Sequence, residues 1–294
     1  MVLKKNFSQF VPNHKPVNYA DIEKLKSFIS SSQKLLVLTG AGISTESGIP
    51  DYRSKDVGLY ARTNHKPITH QEFLKSDVIR QGYWARNFVG WDRFSRCVPN
   101  IVHYTLKDLE MQSGKISVVV TQNVDNLHFK AGSENVIELH GSGFRVLCLK
   151  CGSLFSRHYI QEKLLKVNGK VKNISKMIRP DGDVEIPEMF VKTFIPPMCE
   201  LCGGILKPDI IFFGDNVPKS RVDLIRYKVA HSDSLLVLGS SLSTFSGYRI
   251  VLQALEEKKN MAIVNIGPTR ADDCVQIKIE AKCGDILHKV VDFH

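Results

Sequence analysis

Residues 35–53, which read LLVLTGAGISTESGIPDYR, contain the strand and the loop that decide the fold. The apolar run Leu35–Leu38 predicts a buried parallel strand, and the turn Gly40-Ala41-Gly42 leads from it into small polar residues that can open a helix. Glycine lets backbone N–H groups approach a pyrophosphate closely, and a helix N-terminus favours an anion. The stretch therefore predicts a binding site for a nucleotide phosphate.

The glycine pattern departs from that of ordinary dinucleotide-binding proteins. The fingerprint G-x-G-x-x-G requires a third glycine where this chain has Thr45, and it expects an acidic residue about 20 positions further on, which is missing. An ordinary NAD dehydrogenase is therefore disfavoured, and the turn alone is equally compatible with a simple tight turn. The continuation Gly48–Arg53 favours a ligand site, because Asp51 and Arg53 follow directly after a proline-stiffened loop.

Composition limits the class of protein. A chain of 294 residues with 43% apolar content suits one large domain with one or two inserted modules, and no apolar run is long enough to span a membrane. The net charge of +10 is compatible with acidic partners and equally with a solvated basic surface. The basic residues are scattered and not interleaved with aromatic ones, which argues against nucleic-acid binding. The basic start Met1–Phe7 lacks the apolar core of a secretion signal.

Four of the seven cysteines form two closely spaced pairs, Cys148-x-x-Cys151 and Cys199-x-x-Cys202. Four thiolates suit a tetrahedral zinc ion, and a site closed by four sulfurs leaves no position for substrate, so we expect a structural metal. A redox dithiol and unpaired core cysteines are the alternatives. The long insert between the pairs, Val167–Lys192, is expected to project as a loop toward the active site. Cys97 and Cys274 are expected to be buried apolar residues.

The order of predicted elements indicates an α/β fold with a doubly wound parallel, Rossmann-like sheet. Strands are predicted at 35–38, 117–121, 136–139, 207–215, 235–238, 262–265 and 275–279, and helices at 21–30, 71–88, 221–231, 248–259 and 285–291. We assign residues 1–53, 115–147 and 204–294 to the Rossmann-like domain. Residues 54–114 are expected to form a helical insert, and residues 148–203 a small zinc-binding module.

Polar side chains follow two of the predicted strands. The cluster Gln122–Asp125 follows one strand and His140 follows the next, and open parallel sheets bind ligands at these carboxyl ends. A neutral imidazole at this place can act as a general base near neutral pH. From its position alone, His140 is equally open to a structural role.

Taken together, these motifs resemble those of the sirtuins over residues 30–290. The motifs that carry the resemblance are Gly40-Ala41-Gly42-Ile43-Ser44, Gly48-Ile49-Pro50-Asp51-Tyr52-Arg53, Thr121-Gln122-Asn123-Val124-Asp125, His140-Gly141, the two cysteine pairs, Phe213-Gly214-Asp215 and Gly239-Ser240-Ser241-Leu242. Within that family the chain resembles the class II mitochondrial type known for lipoamidase and deacylase activity. The long insert and the segment Asn265-Ile266-Gly267 carry this finer resemblance.

The resemblance implies an enzyme that consumes NAD to remove acyl groups from lysine. In that chemistry the acyl oxygen attacks C1′ of the nicotinamide ribose, nicotinamide leaves, and O-acyl-ADP-ribose forms. His140 would be the general base and Asn123 a second catalytic residue. The resemblance further implies one structural zinc ion, a monomer in the mitochondrial matrix, and acyl-lysine proteins such as mitochondrial metabolic enzymes as partners.

The resemblance also implies which residues touch NAD and the acyl-lysine. The implied NAD-binding residues are Ala41, Gly42, Ile43, Asp51, Tyr52, Arg53, Gln122, Asn123, Val124, Asp125, Gly239, Ser240, Ser241, Asn265, Ile266, Gly267 and Cys283. The implied substrate-binding residues are Tyr83, Arg86, Phe212, Phe213 and Gly214. Tyr83 and Arg86 would share one helix face, where phenol and guanidinium can reach a carboxyl-bearing acyl group such as a branched glutaryl type. A surface arginine beside a core tyrosine is the alternative, and lipoyl is the other candidate cargo.

Two other functions remain open from the sequence. A protein nucleophile that intercepts the same activated ribose would make the chain a protein mono-ADP-ribosyltransferase. A zinc-stabilised nucleotide-binding scaffold with little turnover would need no catalytic histidine, so replacement of His140 separates it from an enzyme.

Overall fold

The protein is described by a computed structural model over residues 7–63, 67–169 and 178–291, and its largest element is a six-stranded parallel sheet. The strands are β1 (Leu35–Thr39), β2 (Ile116–Thr121), β3 (Val136–Glu138), β4 (Gly141–Cys148), β5 (Leu154–Ser156), β6 (Leu206–Ile210), β7 (Ser234–Leu238), β8 (Asn260–Val264) and β9 (Ile277–Ile279). The large sheet has the order β3-β2-β1-β7-β8-β9. The order reverses between β1 and β7, and open α/β sheets bind ligands at such a switch point.

Helices lie on both faces of this sheet and also pack in the part of the chain outside it. They are α1 (Tyr19–Ser31), α2 (Leu59–Arg62), α3 (His70–Lys75), α4 (Asp77–Ser95), α5 (Ile101–Met111), α6 (Leu127–Ala131), α7 (Arg157–Asn168), α8 (Glu188–Thr193), α9 (Lys219–Ala230), α10 (Phe245–Glu256) and α11 (Cys283–Leu287). Short 3₁₀ helices span Phe7–Phe10, Ala41–Ser47 and Asp272–Cys274. None of the helices in the described ranges is long and apolar enough to cross a membrane.

Strand β1 lies at the centre because every residue in it is apolar or small and can be buried on both faces. Leu35 and Val37 pack against α1, α5 and α11, whereas Leu36 and Leu38 pack against α9 and α10. Side chains alternate between the faces of a strand, so a continuous apolar run supplies both layers of the core. The predicted doubly wound parallel sheet is confirmed.

Residues 141–210 contribute a second, smaller sheet. Strand β4 pairs antiparallel with β5 on one side and with β6 on the other. The sequence prediction that 207–215 resumes the large parallel sheet is therefore wrong, because β6 pairs with β4. An apolar run of this length is compatible with either partner, and the polarity of pairing depends on contacts distant in sequence.

One predicted helix differs in extent, and one helix of the predicted insert packs elsewhere. The helix predicted over 71–88 is two helices, because Ser76 ends α3 and caps α4 by accepting a hydrogen bond from the Ile79 amide. Helix α5 falls within the predicted helical insert, yet its residues Val102, Leu106 and Leu109 belong to the core of the large sheet.

Candidate active site

A cavity of about 1280 Å³ opens at the carboxyl ends of β1, β2, β7 and β8. It reaches from Asn265 at one end to Phe213 at the other, with His140 also in its lining. Of the site residues predicted from the sequence, all those for NAD and substrate line this one cavity except Ile43 and Arg86. Residues scattered over more than two hundred positions are thus brought together by the switch point.

The loop after β1 is held against the loop after β7 by close backbone contact. A Cβ atom at Gly40 or Gly42 would lie within 3 Å of the Gly239 carbonyl oxygen, and the Gly42 amide donates to that oxygen at 2.8 Å. The glycines are therefore required by the approach of two protein segments, and the Gly42 amide is already engaged. The side chain of Ile43 lies in the core, and its amide donates to the Gly40 carbonyl oxygen.

The polar cluster after β2 forms a buried hydrogen-bond network with the same loop. The Ser44 hydroxyl donates to Asp125 at 2.6 Å, and the Asn123 amide nitrogen donates to Ser44 Oγ and to the Gly40 carbonyl oxygen. A backbone amide, that of Leu127, donates to the other Asp125 oxygen. Burial raises the pKa of Asp125, and these hydrogen bonds to its carboxylate act in the opposite direction. The network fixes the carboxamide of Asn123 at the cavity wall.

Both ring nitrogens of His140 have hydrogen-bond partners. Its Nδ1 lies 2.9 Å from the Gln122 carbonyl oxygen, and its Nε2 lies 2.8 Å from Ser246 Oγ. A carbonyl oxygen only accepts, so in the neutral ring Nδ1 carries the proton and Nε2 accepts from the serine hydroxyl. Burial lowers the pKa of His140, which keeps the ring neutral near physiological pH. The geometry gives His140 what a general base needs.

The segment after Ile49 stabilises its own turn. Asp51 is nearly buried, and its carboxylate accepts from the amides of Arg53 and Ser54 and from the Ser54 hydroxyl. The guanidinium of Arg53 lies 5.5 Å from the centre of the Tyr60 ring. The prediction that Asp51 and Arg53 line the cavity agrees with the structure, but the Asp51 carboxylate is occupied by its own loop.

The cavity end formed by β8 and α11 contains Asn265 and Cys283. The Asn265 amide nitrogen donates to the carbonyl oxygens of Ile266 and Gly267, which holds this turn in place. Cys283 is buried behind it, with Sγ 3.5 Å from the Val264 carbonyl oxygen, and burial raises the pKa of this thiol to about 12. Cys283 is thus an inert neutral contact at the cavity wall.

At the opposite end, aromatic residues meet a buried charge network. The Tyr83 ring packs edge-on against Phe73 and Phe212, with ring centres 5.5 and 5.2 Å apart. Arg86 does not line the cavity, because its Nε donates to Asp183 at 3.1 Å. The same buried carboxylate accepts from Arg179, which does line the cavity.

The charge network comes from the long insert between the cysteine pairs. Residues 179–183 of this insert reach the cavity, while residues 170–177 lie outside the described ranges. Gly182 adopts a positive φ of 83° and lies against the Phe94 ring, where a Cβ would come within 3 Å of that side chain. Burial and the neighbouring Asp183 raise the pKa of Asp181 to about 6. The expectation that the insert approaches the site agrees with these contacts.

The four paired cysteines form one cluster. All four Sγ atoms lie within 4.8 Å of one another, with Cys148 and Cys202 3.5 Å apart and Cys151 and Cys199 3.8 Å apart. Tetrahedral zinc with bonds of about 2.3 Å places its sulfurs about 3.8 Å from each other. The cluster therefore fits a zinc site. Cys97 and Cys274 are partly exposed, so the expectation that both are buried is wrong.

Sequence reasoning missed several residues that line or support the site. They are Ser44, Arg179, Asp181, Asp183 and Ser246. The small residues after the Gly40 turn signalled a polar loop, but nothing in the sequence paired Ser246 with His140, since the two are 106 positions apart. The Arg-Pro-Asp-Gly-Asp run of the insert indicates a turn, but it does not reveal which part of the fold the turn contacts.

Comparison with known proteins gives consistent matches. The sequence model of the Sir2 family matches residues 40–246. NAD-dependent protein deacylase Sirt4 of Drosophila melanogaster is 57% identical over 97% of this chain and 91% of that protein. NAD-dependent protein lipoamidase sirtuin-4, mitochondrial, of Homo sapiens is 51% identical over 97% of this chain and 90% of that protein. A solved structure of Sir2 bound to acetylated peptide superimposes with a TM-score of 0.72 at 26% identity, covering 92% of this chain and 96% of that one.

Proposed function

The chain belongs to the Sir2 family, and from this premise we propose that it is an NAD-dependent protein lysine deacylase and lipoamidase. The single observation that carries the proposal is the position of His140, a neutral base that lines the same cavity as the two glycine loops and whose Nε2 contacts Ser246. NAD, when bound, would supply the ribose carbon to which the acyl oxygen bonds as the bond to nicotinamide breaks.

The segments that line the cavity are assigned to the parts of NAD by their position along it. We assign the pyrophosphate to the loops Gly40–Ile43 and Gly239–Ser241, and the ribose and nicotinamide to Gln122–Asp125. The Asn265 turn with Cys283 would face the adenosine. The fit rests on the position of these segments along one cavity, where the carboxylate of Asp125 already accepts hydrogen bonds from Ser44 and from the Leu127 amide.

Catalysis by this chain requires a proton to be taken from a hydroxyl group. His140 Nε2 accepts that proton, and the Gln122 carbonyl oxygen stabilises the imidazolium through Nδ1–H. The Ser246 hydroxyl occupies Nε2 in the free cavity and must turn away when a substrate hydroxyl arrives. The fixed Asn123 carboxamide orients the reacting groups.

The acyl end of the cavity favours a neutral acyl group. Two guanidinium groups, of Arg86 and Arg179, share the Asp183 carboxylate, so a carboxyl-bearing acyl group would have to compete with Asp183 for them. Tyr83 and Phe212 contribute apolar surface there, and the carboxyl group of Asp181 also lines this end. We therefore propose lipoyl-lysine as the better substrate and glutaryl-type acyl groups as the poorer ones.

The setting of the enzyme follows from its relatives. Two of them carry a mitochondrial location in their names, which supports a mitochondrial location here, and we propose the matrix. Acyl-lysine proteins such as metabolic enzymes are the proposed partners, the cysteine cluster is proposed to hold one structural zinc ion, and the chain is proposed to act as a monomer.

The test is mass spectrometry of acyl-lysine peptides incubated with NAD, with lipoyl, glutaryl and acetyl peptides in parallel. We expect nicotinamide and O-acyl-ADP-ribose, and a drop of about 10² to 10⁴ in rate for His140→Ala. ADP-ribose attached to the protein or peptide instead would favour mono-ADP-ribosyl transfer. Binding of NAD without turnover by the wild-type chain would favour the scaffold.

A further inference from the structure

The loop Ala41–Ser47 is held from two sides. On the cavity side, the strand-end residues Asn123 and Asp125 bind Ser44. On the far side, Asn100 contacts the same loop from the position just before α5. The first set belongs to the site already described, whereas Asn100 does not line the cavity.

Asn100 uses both ends of its carboxamide. Its amide nitrogen donates to the Ile43 carbonyl oxygen at 2.8 Å and to Ser47 Oγ at 2.9 Å. Its side-chain oxygen accepts from the Val102 amide at 3.0 Å and so caps the N-terminus of α5. One side chain therefore joins the helix that packs under the sheet to the loop proposed to hold the pyrophosphate.

Two buried histidines lie beside this N-cap. The Asn100 backbone amide donates to His103 Nδ1 at 3.3 Å and completes a capping box, and the rings of His103 and His128 are 5.0 Å apart. His128 Nε2 in turn lies 3.1 Å from Thr39 Oγ1, at the end of β1 where the loop begins. Burial lowers the pKa of both imidazoles, so they are neutral at physiological pH. The two packed rings thus lie between Asn100 and the start of the loop.

We propose that Asn100 is a positioning residue for NAD, which sets the shape of the loop Ala41–Ser47 without touching the ligand. The inference rests on the proposed placement of the pyrophosphate on that loop. Without the two donated hydrogen bonds the loop would populate other shapes, and the apparent affinity for NAD would fall by the fraction of time spent in them. A residue that only caps α5 would have no such effect.

The substitution Asn100→Asp separates the two roles. Aspartate is as good an N-cap as asparagine and keeps the oxygen that accepts from Val102, but it removes both donors and sets a carboxylate beside the Ile43 carbonyl oxygen. At pH 8 we expect the KM for NAD to rise about tenfold with kcat changed less than about threefold, and the melting temperature to stay close to that of the wild type. Ser47→Ala, which removes one acceptor only, should give a smaller rise.

The control is Ser156→Asp, which changes the N-cap of α7 and should leave the KM for NAD unaltered. Calorimetric binding of ADP-ribose gives a second readout, because this ligand contains the pyrophosphate and lacks nicotinamide. Asn100→Asp should weaken ADP-ribose by the same factor as it raises KM. An unchanged KM and ADP-ribose affinity in Asn100→Asp, with the wild type binding ADP-ribose normally, would overturn the positioning role alone. Failure of the wild type to bind ADP-ribose would overturn the proposed NAD site and this inference with it.

Discussion

The two ends of the cavity are built in different ways. The nucleotide end consists of loops that follow neighbouring parallel strands, and its polar groups bind each other through short, buried hydrogen bonds such as that between Ser44 and Asp125. The acyl end is assembled from α4 and a distant insert, and its central feature is the Asp183 carboxylate shared by Arg86 and Arg179.

This difference separates two tasks. A cofactor that is the same in every turnover suits a rigid site supported by the sheet, because pre-formed loops lose little entropy on binding. An acyl group that varies between enzymes suits a site on an insert, where residues change without disturbing the core. We infer that the nucleotide end determines whether the reaction occurs. The acyl end determines which acyl group is removed.

Removal of the metal should have the largest effect and should separate the two ends. The cysteine cluster and the small sheet pack against α4 of the acyl end, so we expect this end alone to unfold. Cys199→Ser deletes a buried ligand of the proposed zinc ion, and structural zinc sites in small modules contribute about 10 kcal/mol to folding. We expect loss of bound zinc and rapid hydrogen exchange in β4–β6, while β1 and β7 stay protected. Cys97→Ser serves as control. Equal loss of protection in both sheets would contradict the division into two ends.

A pH experiment probes the nucleotide end. Burial lowers the folded-state pKa of His128 to about 4, below its unfolded value of about 6.5, so the unfolded chain binds more protons as the pH falls between these values. The contribution of His128 to stability is therefore present above pH 6.5 and is lost on acidification. Acidification from pH 7.5 to pH 5 should lower the free energy of unfolding, measured with urea, by about 2 kcal/mol.

The matched variants for this experiment are His128→Gln and His231→Gln, the second at an exposed histidine. We expect His128→Gln to flatten the dependence of unfolding free energy on pH and His231→Gln to leave it unaltered. The same slope in wild type and His128→Gln would show that the buried imidazole does not carry the effect.

A substitution at the acyl end should produce the smallest and most selective effect. Asp183→Asn keeps the oxygen that accepts from the Val184 amide but frees the two guanidinium groups. We expect kcat/KM for a glutaryl peptide to rise about five- to tenfold, with less than a twofold change for a lipoyl peptide, since a charge-assisted pair contributes about 1.5 kcal/mol or more. Glu185→Gln, at an exposed neighbour, is the control. Equal changes for both peptides would contradict selection by Asp183.

The sequence predicted the nucleotide end far better than the acyl end. Strand β1 and the residues after β2 were readable because apolar runs and the polar residues directly after them are adjacent in the chain. The four cysteines were readable because ligand spacing is local. The antiparallel partner of β6 was not, since strand pairing depends on residues far apart in the chain.

At the acyl end, the sequence prediction differs from the structure at Arg86, which does not line the cavity. The spacing of Tyr83 and Arg86 placed both on one helix face, but spacing does not reveal what occupies a guanidinium. Asp183 lies 97 positions from Arg86 and comes from an insert whose path no local pattern gives. Likewise, the glycines at 40 and 42 were assigned to ligand contact, whereas their first requirement is the approach of Gly239. The physical reason for these residues came from the fold and not from the sequence pattern.

The most direct test of the central claim is the stoichiometry of the reaction with a lipoyl-lysine peptide. Nicotinamide, O-lipoyl-ADP-ribose and free lysine peptide are quantified together by mass spectrometry over the time course, with His140→Ala as the inactive reference. Equal molar amounts of the three products are predicted, because the chain is proposed to consume NAD each time it removes an acyl group. Release of free lipoic acid without nicotinamide, or nicotinamide release without a deacylated peptide, would contradict it.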